Sequence, residues 1–258
     1  KVSAALFIPY FIWKRSWNML LGIILGLMLF LWPGVFPSLV LGFEENQKQL
    51  YSWYTEMVYP FVVEGKVWSE HNNQSLPGLM YRIFTHSPSF SDYVVGVYTP
   101  LEYHNVLDLP VPIIRLVLKV SLGLFALGVI LCCRTPEKNR GGWALAAEFA
   151  IIVLGMLLFS ERTWKHHCVT LILPFAVLCY FLATCLKAKT NYFLPAFTIV
   201  VATLLMTLTS TGLLEDDFAK EAQVYGCYVW AFMLMIVCLF VVLYKNNNKV
   251  LTIVKKID

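Results

Sequence analysis

The sequence predicts an all-α, polytopic membrane protein. Three observations carry this. The chain of 258 residues is 59% hydrophobic and only 14% charged, beyond the usual composition of a soluble domain. Six apolar stretches are long enough to cross the ~30 Å hydrocarbon core of a bilayer. The basic residues fall on alternate connections between these stretches, as the positive-inside rule requires.

Taken in order, the spans run over residues 19–41, 111–133, 143–159, 168–186, 192–214 and 224–244. A shorter apolar run, 2–13, is expected to be the end of a helix that begins upstream, because the chain opens on Lys1 rather than Met. A signal peptide fits less well, since Lys14-Arg15 follows the apolar run and no small-residue cleavage site comes after it. The chain therefore reads as one membrane domain, 1–258, lacking its first part: about six full transmembrane helices plus one truncated helix. Residues 42–110 form an outer insertion within it.

Eleven of the twenty basic residues lie on one side: Lys14, Arg15, Arg134, Lys138, Arg140, Lys187, Lys189, Lys245, Lys249, Lys255 and Lys256. That side is assigned to the cytoplasm, with the C-terminus inside. The net charge of +4 follows from this bias and does not signal nucleic-acid binding. Segment 42–110, loop 160–167 and the acidic turn Glu215-Asp216-Asp217 fall outside. Within the insertion, Leu50, Trp53, Tyr54 and Met57 share one helical face, an interfacial amphipathic helix over 44–59 that ends before Pro60. A second short helix starts at Pro77, a favoured first-turn residue. The stretch 85–110, rich in Ser, Pro and Tyr, reads as irregular.

Chemistry is expected at two outer loops. Ser160-Glu161-Arg162-Thr163-Trp164-Lys165-His166-His167 sets two cations, two imidazoles and an indole at the lip of a span. Ionisable groups there are costly, hence candidates for function. Arg162 and Lys165 offer counter-charge to a lipid phosphate. His166 and His167 offer donors or proton handling and diverge, so that one faces the site. Trp164 either stacks on a sugar or anchors in the interface as part of an ordinary aromatic belt.

The other loop is Glu70-His71-Asn72-Asn73-Gln74-Ser75, followed by Arg82. Its amides can bind sugar hydroxyls, or one of its residues, Ser75 or Asn73, can cap the following helix. Asn73-Gln74-Ser75 is also a glycosylation sequon. Glu148, within a span, reads as snorkelling or structurally paired. The seven cysteines read as small apolar packing. No spacing among acids or cysteines forms a metal motif, so no metal or other cofactor is expected.

In their order and shared side, these motifs resemble glycosyltransferase family 87, polytopic enzymes of GT-C type. The resemblance rests on Asn73-Gln74-Ser75-Leu76 with Arg82, and on Ser160-x-x-Thr163-Trp164-x-His166-His167 before an apolar helix containing Pro174. The resemblance implies a GT-C-like bundle and a polyprenyl-phosphate sugar donor, often carrying mannose. It implies transfer to a lipid or glycan acceptor at the outer face, with inversion, and a bacterial inner membrane as the setting. Arg162, Lys165 and Arg82 would serve the donor phosphate together with His166 and His167. Asn73, Gln74, His71 and Trp164 would contact the sugar. The general base, an Asp in the first outer loop of such enzymes, is expected upstream of Lys1. The chain alone is therefore expected to be inactive. Glu161-Arg162 also stands where such enzymes commonly carry a Pro before the Ser/Thr-Trp pair. The alternatives are a lipid-linked glycan ligase or polymerase, and a non-enzymatic transporter of lipid-linked sugar.

Overall fold

A computed structural model describes residues 2–32, 36–95, 97–135 and 142–254. It is 72% helical with no closed sheet, about twice the helix content of an average globular protein, and an all-α polytopic membrane protein fits it. Lys1, Lys138, Arg140, Lys255 and Lys256, used above for topology and motif, lie outside the described residues.

The contacts divide the chain into two compact units, 1–67 and 68–258, with the division inside the expected outer insertion. The first unit contains helices α1 (Phe7–Trp13), α2 (Trp17–Leu31), α3 (Phe36–Leu41) and α4 (Phe43–Trp53). A π-helix, Tyr54–Val63, continues α4 and contains Pro60. The sequence expectation of a stop before Pro60 is thus corrected. A proline ring clashes with the carbonyl one α-turn back, and a wider turn relieves that clash. Glu64 N–H accordingly bonds five residues back, to Tyr59 O at 3.1 Å.

The second unit contains α5 (Leu76–Phe84), strands β1 (Phe90–Val94) and β2 (Val97–Glu102), and helices α6 (Val111–Cys132), α7 (Gly142–Leu158), α8 (Ile172–Lys187), α9 (Phe193–Thr207), α10 (Asp216–Val224) and α11 (Cys227–Val254). Loop 160–167 leads into a 3₁₀ turn, Lys165–Leu171, ahead of α8. Among the described residues, four candidate spans have the length and apolarity to cross a membrane: Trp17–Leu41, Val111–Cys132, Lys165–Lys187 and Cys227–Lys245. The other two expected spans, α7 and α9, are apolar but shorter, at 17 and 15 residues.

The core lies on α7 and α11. Ala147, Ile151 and Leu154 of α7 are sealed, as are Phe232, Met235, Leu239 and Leu243 of α11. Glycines let neighbours come close. A methyl on Gly155 would sit 2.4 Å from the Phe125 ring of α6, and one on Gly128 would sit 2.7 Å from Phe240 of α11. Such small-residue contacts suit helices that pack without a hydrophobic force from surrounding lipid. Glu148, buried in α7, accepts from Thr135 N–H at 2.9 Å, which is the paired alternative.

The stretch expected to be irregular holds an antiparallel hairpin. Tyr93 faces Tyr98 and Val94 faces Val97, with a bulge between Phe90 and Ser91. Pro100 is accommodated because a two-stranded ribbon leaves edge positions that need no N–H.

Candidate functional site

Helix α5 begins where the sequence places it. Ser75 is the cap, its Oγ accepting from Gly78 N–H at 3.2 Å, and Pro77 occupies the first turn, where its missing N–H costs nothing. Just before it, the 69–73 turn is fastened to the hairpin base. His71 N–H donates to Ser89 O at 2.9 Å and Ser69 Oγ to Pro88 O at 2.7 Å.

Asn73 joins the two candidate loops. Its Nδ2 donates to Trp68 O at 2.6 Å and Glu161 O at 2.8 Å, and its Oδ1 accepts from Thr163 N–H at 2.8 Å. Gln74 N–H donates to Thr163 O at 2.6 Å. The Gln74 amide then donates to His71 O at 2.6 Å and to Gln223 O at 2.8 Å. Asn73, Gln74 and Thr163 all have 0% exposure. The two amides expected to hold sugar instead weld loop 160–167 to the α5 entry and to α10. A buried polar side chain must find its partners inside the protein, and these find backbone. Asn73 as a glycosylation acceptor is excluded in the folded protein by the same burial.

Arg82 is likewise relocated. It is 0% exposed, and its guanidinium donates to five carbonyls: Nε to Val224 O at 2.8 Å, Nη1 to Ser69 O and Glu70 O, both at 2.7 Å, and to Asn73 O at 3.4 Å, and Nη2 to Gln223 O at 3.1 Å. Two of these carbonyls end α10, where the helix dipole favours a cation. Burial lowers the Arg82 pKa to about 9, so the charge persists at neutral pH. Expected at a phosphate, Arg82 is instead a buried tie between α10 and the 69–70 turn.

One consequence falls on Gly78. A methyl there would lie 2.5 Å from Asn73 Nδ2 and 3.1 Å from Trp68 O. In an exposed helix Gly→Ala stabilises by about 1 kcal/mol. Here Gly78→Ala is expected to destabilise by about 1–3 kcal/mol through overpacking, read as a lower thermal unfolding midpoint in detergent.

Around this weld opens a cleft of about 380 Å³. Loop 160–167 lines it with Trp164, Lys165 and His166, and the other loop with His71 and Asn72. Thr211, between α9 and α10, and Lys220 and Gln223 of α10 complete the wall. The lining therefore carries two lysines, two imidazoles and no carboxylate. Lys165 Nζ also donates to Thr209 O, which fixes it at the rim. Lys220, half-buried, makes a 3.8 Å ion pair with the exposed Asp216.

Arg162 and His167 are not among the residues that line the cleft. Arg162 sits 4.7 Å above the Trp68 ring. Burial lowers its pKa, and the charge of Glu70 opposes that. Glu70 accepts from Ser91 Oγ. Burial raises its pKa, against hydrogen bonds from Trp68, Tyr98 and Asn72 and the charge of Arg162. His167 turns its Nδ1 to Trp164 N–H at 3.0 Å and stacks on that indole, while His166 is exposed and contacts both rings.

Lys220 was missed by sequence reasoning. It stands in an acidic stretch, Glu215-Asp216-Asp217 through Glu221, that reads as a solvated turn. The usable signal was its spacing from Gln223, which shares its helical face.

Residues 1–161 match glycosyltransferase family 87. The chain belongs to this family. The matched part includes the Asn73 motif and α5 and stops at the start of the 160–167 loop, so family 87 membership rests on one of the two loops that meet at the cleft. No curated protein and no solved structure matches the chain. The protein is thus a membrane glycosyltransferase by family, and the family implies a sugar donor and an acceptor.

Proposed function

We propose that the cleft holds the phosphate of a polyprenyl-phosphate sugar, and that the enzyme transfers the hexose, mannose foremost, to a lipid or glycan acceptor with inversion. The observation that carries this is the convergence of Lys165, His166 and Trp164 from one loop with His71 from the other on a single cleft lined by Lys220 and no carboxylate. Two ammonium groups and an imidazole offer charge-assisted donors to a phosphate. An indole beside them offers a face to a sugar ring.

In this reaction the acceptor hydroxyl attacks the anomeric carbon from the face opposite the phosphate. The C1–O bond to phosphate breaks, and its electron pair leaves on the lipid phosphate, where Lys165, Lys220 and His166 stabilise the charge. The hydroxyl proton goes to a carboxylate general base. His167 acts by holding the Trp164 backbone. By charge bias, the cleft opens on the non-cytoplasmic face and the C-terminus is cytoplasmic, in a bacterial plasma membrane. Its partners are the donor, a lipid or glycan acceptor and membrane lipid.

The test uses the full-length protein in membranes with radiolabelled polyprenyl-phosphate mannose, with and without a His166→Ala/His167→Ala change. Transfer by the parent, lost by at least 100-fold in the double variant at equal protein level, is the expected result. Absence of transfer from any polyprenyl-phosphate sugar, even by the parent, favours a ligase, polymerase or transporter instead.

A further inference from the structure

We infer that His71 Nε2 accepts a hydrogen bond from a hydroxyl of the sugar carried by the donor, so that the cleft selects a glycosyl phosphate over a plain lipid phosphate. This rests on reading the cleft as the donor site.

The ring is held from three directions. Its Nδ1 lies 3.3 Å from Ser89 O, a carbonyl that can only accept, so Nδ1 carries the proton. The same carbonyl takes the His71 backbone N–H at 2.9 Å, and the ring stacks on Phe90 at 4.4 Å between centroids. His71 O is taken by the Gln74 amide. In a neutral imidazole whose Nδ1 donates, Nε2 is left with its lone pair. His71 lines the cleft, so the hairpin base fixes both the tautomer and the plane of the ring there.

The neighbours make this atom distinctive. Lys165 and Lys220 are donors only, which suits phosphate oxygens, themselves acceptors only. A fixed acceptor such as Nε2 repels phosphate oxygens and asks for an O–H. Of the two ends of a glycosyl phosphate, only the sugar supplies one. The charges around the ring reinforce the assignment. Burial lowers the His71 pKa against the hydrogen bond to Ser89, and the cations Arg82, Lys220 and Lys165 add to the lowering, so the lone pair is present at neutral pH. Across Phe90 lies His104, which pairs with Glu221 at 3.1 Å, and Glu70 precedes His71 in the turn.

The experiment measures binding of a short-chain polyprenyl-phosphate mannose and its 2-, 3-, 4- and 6-deoxy analogues to the full-length protein in detergent, by calorimetry. The parent protein is expected to bind one deoxy analogue roughly 10- to 100-fold more weakly than the mannosyl compound. His71→Phe, which keeps a ring against Phe90, should bind the mannosyl compound more weakly and lose that selectivity. The donor is a phosphodiester, and His166 serves all analogues alike, so the ratio isolates His71. Selectivity that survives in His71→Phe, or a parent with no selectivity, overturns the inference. A parent that binds no mannosyl compound, or Lys165 and Lys220 variants that bind it unchanged, overturns instead the reading of the cleft.

Discussion

Arg82→Met is expected to leave little folded protein in the membrane, whereas Arg82→Lys should retain part of it. The methionine fills most of the volume but removes the guanidinium from five carbonyls, on Ser69, Glu70, Asn73, Gln223 and Val224. Glu70 O keeps Asn73 N–H, and Gln223 O keeps Gly226 N–H and the Gln74 amide. Each carbonyl stripped of its donor costs about 1–3 kcal/mol, a large share of the 5–15 kcal/mol net stability of a typical domain. Lysine keeps the charge but cannot reproduce a planar fork reaching five oxygens. The measurement is the monodisperse fraction after detergent extraction, with thermal unfolding of whatever is recovered. The phosphate-binding role expected from the sequence makes the opposite forecast: a variant that folds like the parent and has lost only donor affinity. Such a result would remove the carbonyl tie from this account.

Lys165→Gln/Lys220→Gln is expected to fold normally and bind the donor about 100-fold more weakly. Each charge-assisted hydrogen bond to a phosphate is worth about 1.5–3 kcal/mol, reduced here because both side chains are in part solvated, so about tenfold per lysine is reasonable. The loss should appear mainly in KM, with a smaller fall in kcat from the weaker support of the leaving phosphate. The dependence of binding on ionic strength should flatten as well, since the cleft has lost its two lysines. Lys48→Gln, an exposed change on α4, serves as the control. Equal donor affinity in the double variant and the parent would move the phosphate out of this cleft.

The membrane-spanning character was legible because it depends on composition along the chain, which needs no knowledge of partners. So was α5, whose cap Ser75 and first-turn Pro77 act within three residues of each other. What stayed hidden depends on distance in sequence. Asn73 and Gln74 looked like sugar ligands because an amide that binds a hydroxyl and one that binds a carbonyl are written with the same letter. Their partners at Glu161, Thr163 and Gln223 lie 88, 90 and 149 residues away. Arg82 was misplaced for the same reason. The hairpin escaped notice because Pro100 lowers strand propensity and its turn lacks the Asn-Gly or Asp-Gly signal. Lys220 was masked by the acids around it. For Asn73, Gln74 and Arg82 the tertiary partner decided the use.

The Arg82 tie also has a history in time. Its carbonyl partner at Val224 is 142 residues further along the chain, and ribosomes add roughly 5–20 residues per second. For on the order of ten seconds a nascent chain carries an arginine whose final shelter does not yet exist. This side of the cleft therefore closes late, once α10 has been made and has met α5.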